Sequence, residues 1–319
     1  VIHIVLPPAY RSRACPFVQR TANLLRVLDI LGEPYSTHGV EAWGLIEGDL
    51  IFYTYPPEPG YAPLVEGATV TEIECGVAYD AKPWGALRVY ETEIWRHYCF
   101  AKYNEPLDRR RNSWVIPWAF DCNAWPLGSG GGKYVSFLGR LMPEKGIRAL
   151  IEVAKKLPGM SFKIASTDAV NGLWVRNEPP PPNVEFVGPL LGTERAPFLG
   201  DAAVHLCPTE FVESLCGSAI EAMLCGTPVV TSNYGGFVET VDDGATGFRC
   251  ASVDEMVAAI GRAGEIDRVR CQSLTQQKFS IEASVPRWRK ALVQMRALPY
   301  AASKKNIQNR RAFDSSVPK

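Results

Sequence analysis

No run of this 319-residue chain approaches the ~18 consecutive apolar residues that a membrane-spanning helix needs, so stable membrane insertion is not expected. Net charge is lacking too. The 34 Lys and Arg balance 34 Asp and Glu, which argues against a nucleic-acid binder. The nine cysteines are odd in number and include no C-x-x-C pair. A zinc ribbon or a disulfide framework is therefore not expected, and a reducing, cytoplasmic compartment fits. There is no Asn-x-Ser/Thr acceptor and no Asp-x-Asp, and the first residues carry no signal-peptide pattern.

What is present is a globular composition, 46% hydrophobic and 21% charged. The length predicts about two domains. Charge is distributed unevenly. Residues 1–125 have a net charge of −4, residues 126–300 carry 18 side chains of each sign, and residues 301–319 carry five basic and one acidic. That last stretch reads as a strap or a frayed end.

Along the chain, short apolar runs alternate with helical spacing. Ile2–Leu6 predicts a strand stopped by Pro7-Pro8, and Phe17–Leu31 a helix ending at Gly32. Strands are expected at Asp49–Tyr53, Ala68–Ile73 and Ser113–Ile116, with a helix over Tyr90–Tyr103. A flexible linker is expected in Trp118–Lys133. Its Gly-Gly-Gly-Lys133 is not a Walker loop, because position 127 is Leu and Tyr134 replaces the Ser/Thr. The alternation restarts with strands Tyr134–Leu138, Phe162–Ala165, Val184–Val187, Val204–Cys207 and Val229–Thr231. Helices are expected at Gly146–Leu157, Arg195–Leu199, Gly217–Leu224, Val253–Arg262 and Val285–Ala297.

This pattern predicts an α/β protein of two Rossmann-like, doubly wound parallel-sheet domains facing across a cleft. The expected divisions are 1–125, 126–300 and a tail over 301–319. Ligands of such sheets gather at the carboxyl ends of strands.

Two segments carry chemistry. In PTEFVESLCGSAIEAMLC (Pro208–Cys225), Glu213 precedes a helix start and Glu221 follows eight residues later. A helix N-terminus suits phosphate, and the flanking carboxylates suit sugar and ribose hydroxyls. In GRLMPEKG (Gly139–Gly146), Arg140 and Lys145 lie on a strand-end loop where two cations can hold a diphosphate. Taken singly, Glu213, Arg140 and Lys145 read equally as solvated loop residues, and Glu221 as a helix-surface residue.

Together, Val135–Pro158, Asn183–Gly188 and Pro208–Cys250 resemble the family 4 retaining glycosyltransferases of GT-B fold, with Glu213-x7-Glu221 as the hallmark spacing. Cys15-Pro-Phe, Glu74–Tyr79, Arg88–His97 and Val115–Asp121 resemble, more weakly, a compact subgroup found in bacteria and large viruses. The resemblance implies a hexosyltransferase that takes a nucleoside-diphosphate sugar, UDP- or GDP-linked, to a glycan or small-molecule acceptor. It implies Arg140 and Lys145 on the diphosphate, completed by backbone N–H groups of Leu215, Cys216 and Gly217. It implies Glu213 on the donor sugar, Glu221 on the ribose, Phe186–Gly188 (with Val187 between) beside the base, and His97 toward the transferred sugar. It implies no metal and no cofactor. On its residues alone, His97, among Trp95, Tyr98 and Phe100, also reads as a packed core residue. The chain departs from the family at Ser214, at Leu215-Cys216 where Phe-Gly is usual, at Trp118-Ala119 and at Arg11-Ser-Arg13. Rival readings are a sugar-nucleotide 2-epimerase and a binding module without turnover. The sequence sets no oligomeric state.

Overall fold

A computed structural model describes residues 1–5, 16–38, 49–54, 71–75, 87–168 and 180–298. The chain divides into two compact units between Phe120 and Asp121, and the stretch from Ile281 onward belongs to the first. The expected stop at Pro7-Pro8, the Arg11–Arg13 departure, the Gly76–Tyr79 part of the resemblance, and the tail over 301–319 lie outside the described residues.

The first unit opens with β1 (Ile2–Val5), α1 (Pro16–Leu31), β2 (Tyr35–His38), β3 (Leu50–Tyr53) and β4 (Thr71–Cys75). It continues through β5 (Leu87–Tyr90), α2 (Glu93–Lys102), α3 (Leu107–Arg110) and β6 (Ser113–Val115). All six strands pair in parallel in the order β2-β1-β3-β4-β5-β6. The sheet is covered on both faces: β1, β3 and β5 are buried at every position, and Arg88 of β5 is buried against Glu105. Leu24, Val27 and Leu28 of α1 enter this core at helical spacing. The expected helix over Tyr90–Tyr103 is in fact the strand β5 followed by α2. Thr92 marks the break, its Oγ1 accepting from Trp95 N at 3.2 Å as the N-cap.

The second unit holds β7 (Tyr134–Leu138), α4 (Ile147–Lys156), β8 (Ser161–Ala165), β9 (Val184–Gly188), α5 (Arg195–Asp201) and β10 (Val204–Cys207). It continues through α6 (Gly217–Leu224), β11 (Val229–Ser232), α7 (Phe237–Thr240), β12 (Gly247–Cys250), α8 (Val253–Arg262) and α9 (Arg268–Phe279). Its parallel sheet runs β12-β11-β10-β7-β8-β9. Numbered within the unit, that is the Rossmann order 3-2-1-4-5-6, whose direction reverses between β7 and β10.

Two expectations are corrected. Helix α10 (Ile281–Arg296) belongs to the first unit, not to a domain over 126–300. Its stripe Ile281, Val285, Trp288, Leu292 and Met295 is buried in the first unit's core, with Trp288 5.6 Å from Phe52 between ring centroids. The glycine-rich stretch before β7 is tied down rather than flexible. Gly128 N donates to Cys225 O at 2.9 Å, Gly130 N to Gly200 O at 3.0 Å and Gly132 N to Asp201 O at 2.9 Å. A Cβ on Gly128 would lie 2.1 Å from Gly200 O, so glycine serves close approach here.

Candidate functional site

Strands β7 and β10 are neighbours, with Val135 beside Val204 and Ser136 beside His205. Their carboxyl-terminal loops therefore leave the sheet side by side at the point where strand order reverses, the position at which open α/β sheets bind ligands. The β7 loop runs from Gly139 to Gly146 and carries Arg140 and Lys145. The β10 loop runs from Pro208 to Cys216 and carries Glu213.

The two loops hold each other. Glu210 N donates to Glu144 O at 2.8 Å. Gly146 adopts φ +73°, and a Cβ there would lie 1.7 Å from Pro208 O, so two requirements fix it as glycine. The start of the β7 loop is pinned by Asp168, whose Oδ2 accepts from Leu141 N at 2.7 Å.

Within this frame Lys145 Nζ meets Glu213 Oε2 at 2.7 Å. The ammonium also lies 4.8 Å from the centroid of the Phe211 ring. The Glu213 side chain is 6% exposed and that of Lys145 17%. A buried carboxylate needs such a partner. The Glu213 backbone is set by Gly236 N, which donates to its carbonyl at 2.6 Å. Arg140 is exposed on the same loop as Lys145.

Leu215, Cys216 and Gly217 form the entry to α6, whose first-turn N–H groups have no partners inside the helix. Cys216 is its N-cap in the left-handed region, φ 64° and ψ 83°. A residue other than glycine is uncommon in that region.

Glu221 sits in the second turn of α6, buried and paired with the guanidinium of Arg195, the first residue of α5. Burial pushes its carboxyl up to about 7, against the opposing pull of Arg195. Arg195 also lies over the Trp125 ring, 5.9 Å from its centroid. Phe186, Val187 and Gly188 end β9 and are half-buried. Gly188 O accepts from Ser166 N at 3.0 Å, beside β8.

The structure thus joins Lys145 to Glu213 directly, and places Arg140, Leu215–Gly217, Glu221 and Phe186–Gly188 in the same unit. His97 is in the other unit. It is exposed on α2, 69% by side chain, with Nε2 4.0 Å from Glu93 Oε2, and so is not a core residue. Arg195, Asp168 and Phe211 were not read as site residues. Arg195 stands 26 residues before Glu221 at no recognisable spacing, and only the packing of α5 against α6 joins them. No group of His, Cys, Asp and Glu able to hold a metal occurs among the described residues.

Residues 132–265 match the family model of the group 1 glycosyl transferases. The matched stretch lies wholly within the second unit. The match covers Arg140, Lys145, Phe186–Gly188, Glu213, Leu215–Gly217 and Glu221, and stops short of His97. Glycogen synthase of Mycobacterium tuberculosis is 33% identical over 152 residues, 44% of this chain and 36% of the relative. D-inositol 3-phosphate glycosyltransferase of Mycolicibacterium smegmatis is 33% identical over 126 residues, 36% of this chain and 28% of the relative. The chain therefore spans about a third of the length of the curated relatives it matches. Among solved structures, Anabaena Alr3699/HepE with UDP and glucose shares the fold at TM-score 0.67 and 15% identity, over 92% of this chain and 99% of that one. AviGT4, a glycosyltransferase involved in avilamycin A biosynthesis, does so at TM-score 0.67 and 18%, over 95% and 98%. These likenesses are ones of fold: α/β, with parallel sheets, as in GT-B glycosyltransferases.

Proposed function

We propose that the chain is a retaining glycosyltransferase that moves a hexose from a nucleoside-diphosphate sugar to a glycan or small-molecule acceptor. The observation that carries the reading is the pairing of Lys145 with Glu213 on the two strand-end loops at the reversal of strand order, immediately before the N-terminus of α6. The group 1 match over this unit supports it. UDP is the first nucleotide to test, because Alr3699/HepE was solved with UDP and glucose; GDP follows.

In this reading the anomeric bond loosens and negative charge grows on the β-phosphate. Arg140, Lys145 and the α6 N-terminus stabilise that charge, so no metal is required. Glu213 holds hydroxyls of the transferred sugar while its pairing keeps Lys145 in place. Glu221, oriented by Arg195, accepts from the ribose diol, and Phe186–Gly188 lie beside the base. His97 acts on the transferred sugar. The acceptor attacks the face the phosphate leaves, and the phosphate takes its proton. A cytoplasmic setting fits an odd number of cysteines with no C-x-x-C pair, and no described helix is long and apolar enough to cross a membrane.

A donor-hydrolysis assay with UDP-, GDP-, ADP- and TDP-hexoses tests this. Slow release of free sugar with retained anomeric configuration is expected. A 2-epimer would mark an epimerase, and binding without either product would mark a module without turnover.

A further inference from the structure

The cysteine that caps α6 faces another cysteine. Cys207 ends β10 and Cys216 precedes α6, and their Sγ atoms lie 3.9 Å apart in a thiol–thiol hydrogen bond. Two other buried thiols of the unit bond to the backbone instead. Cys225 Sγ donates to Ala196 O at 3.7 Å, and Cys271 Sγ to Thr246 O at 3.6 Å. A disulfide needs the sulfurs about 2.05 Å apart, so this pair must close by roughly 2 Å. The loop between them, Pro208–Leu215, is neither helix nor strand but is held at Glu210 and Glu213 by backbone hydrogen bonds, so closing the pair strains the loop that carries Glu213.

The two thiols are unequal. Cys207 is buried and Cys216 half-buried, so an oxidant meets Cys216 first. The hydrogen bond with Cys207 and the nearby Lys145 ammonium lower the Cys216 thiol from its ordinary value, against burial and Glu213; the same contact and burial raise Cys207. That asymmetry suits an attacking and a resolving thiol.

We propose that Cys207 and Cys216 form a hydroperoxide-sensitive pair whose oxidation to a disulfide shuts the phosphate end of the donor site. The proposal rests on the donor-site reading above. In the first step Cys216 thiolate attacks hydrogen peroxide. An S–O bond forms, the O–O bond breaks, and the departing hydroxide takes a proton to leave as water. In the second, the Cys207 sulfur attacks the resulting sulfenic acid. The S–S bond forms, the S–O bond breaks, and the Cys207 proton leaves with the hydroxyl as a second water. Two thiols lose two electrons and one peroxide becomes two waters. The cross-link draws the α6 cap toward the end of β10. This moves the N–H groups of Leu215, Cys216 and Gly217 and the adjoining Glu213–Lys145 pair. Dithiothreitol reverses it.

The test uses the full chain, reduced and after hydrogen peroxide, with three readouts: non-reducing peptide mapping, titration with UDP, GDP and ADP, and recovery with dithiothreitol. The expected result is a Cys207–Cys216 cross-link, a tenfold or greater loss of nucleotide affinity, and full recovery on reduction. Cys207→Ala, and Cys207→Ser should the alanine variant not fold, is expected to bind nucleotide like the reduced parent before peroxide, and after it to carry at Cys216 a sulfenic acid trapped by dimedone in place of the cross-link. Absence of the cross-link after peroxide, or a cross-linked chain that binds nucleotide as tightly as the reduced one, overturns the switch and leaves the donor site standing. A reduced chain that binds none of the three nucleotides overturns the donor site, and the switch with it.

Discussion

Glu213 and Glu221 are both buried carboxylates with a cationic partner, yet their surroundings set them different tasks. Glu213 meets Lys145 at 2.7 Å on a loop. Glu221 meets Arg195 from within a helix, and burial still pushes its carboxyl up to about 7. The sign of the consequence follows. A carboxyl raised from 4.5 to about 7 on folding leaves the native state holding the proton over that window. Its contribution to stability is therefore full below pH 4.5 and is lost as pH rises through 7. At about 1.4 kcal/mol per unit, the loss is on the order of 3–4 kcal/mol at most. Glu221→Gln has no such loss. Denaturant melts of the two proteins should show the variant gaining on the parent from pH 4.5 to 7 and keeping a constant advantage above; a pH-independent difference would refute the shift. The same variant should bind nucleotide more weakly above pH 7, where the parent's carboxylate can accept both ribose hydroxyls.

The cations of the β7 loop also belong at this scale. Charge on the leaving phosphate is greater in the transition state than in the bound donor, so Arg140→Ala and Lys145→Ala should each lower kcat/KM by about 2–4 kcal/mol. Steady-state kinetics reads this directly, and parental rates in both variants would remove them from the site.

At the scale of elements, the decisive joint is the contact of the β7 and β10 loops through Gly146 and Pro208. Gly146→Ala meets both an adverse φ of +73° and a Cβ 1.7 Å from Pro208 O. It should cost upward of about 2 kcal/mol and weaken nucleotide binding by displacing Lys145. Gly159→Ala, whose Cβ would meet nothing within 4 Å, should change neither. Thermal melts of the two variants check this; equal melting points would place the joint elsewhere.

The same elements show what was legible in advance. The bounds of β7, β10, α6 and α8 follow directly from apolar runs and helix starts. The missed elements lack those signals. β2 is a polar YSTH, and β12 is four residues following a turn. In α9 the buried face is only Cys271, Thr275 and Phe279, too weakly apolar to show a period. The strand-end loops of the second unit could be read because residue type and spacing carry them. Arg195 could not, since its pairing arises from packing and not from spacing.

For the whole molecule, the informative fact is that every residue proposed to hold nucleotide lies in the second unit, whereas His97 lies in the first. The membership of α10 differs from expectation because an apolar stripe says that a helix is buried, not against which sheet. His97 is exposed on α2, outside the unit proposed to hold nucleotide. His97→Ala should therefore keep the parental melting point and nucleotide affinity while transfer falls at least tenfold. Normal transfer per folded molecule would exclude it from the reaction.

The central claim is that the β7 loop, the β10 loop and the α6 N-terminus form a nucleoside-diphosphate site that works without metal. Calorimetric titration of UDP, GDP and ADP into the reduced chain in EDTA, with Lys145→Ala alongside, tests it most directly. The account predicts saturable one-site binding of at least one nucleotide to the parent, weakened tenfold or more in the variant at a temperature where both are folded, the variant melting lower because Glu213 loses its partner. No binding by the folded parent, binding only on addition of a divalent cation, or equal affinity in Lys145→Ala would contradict it.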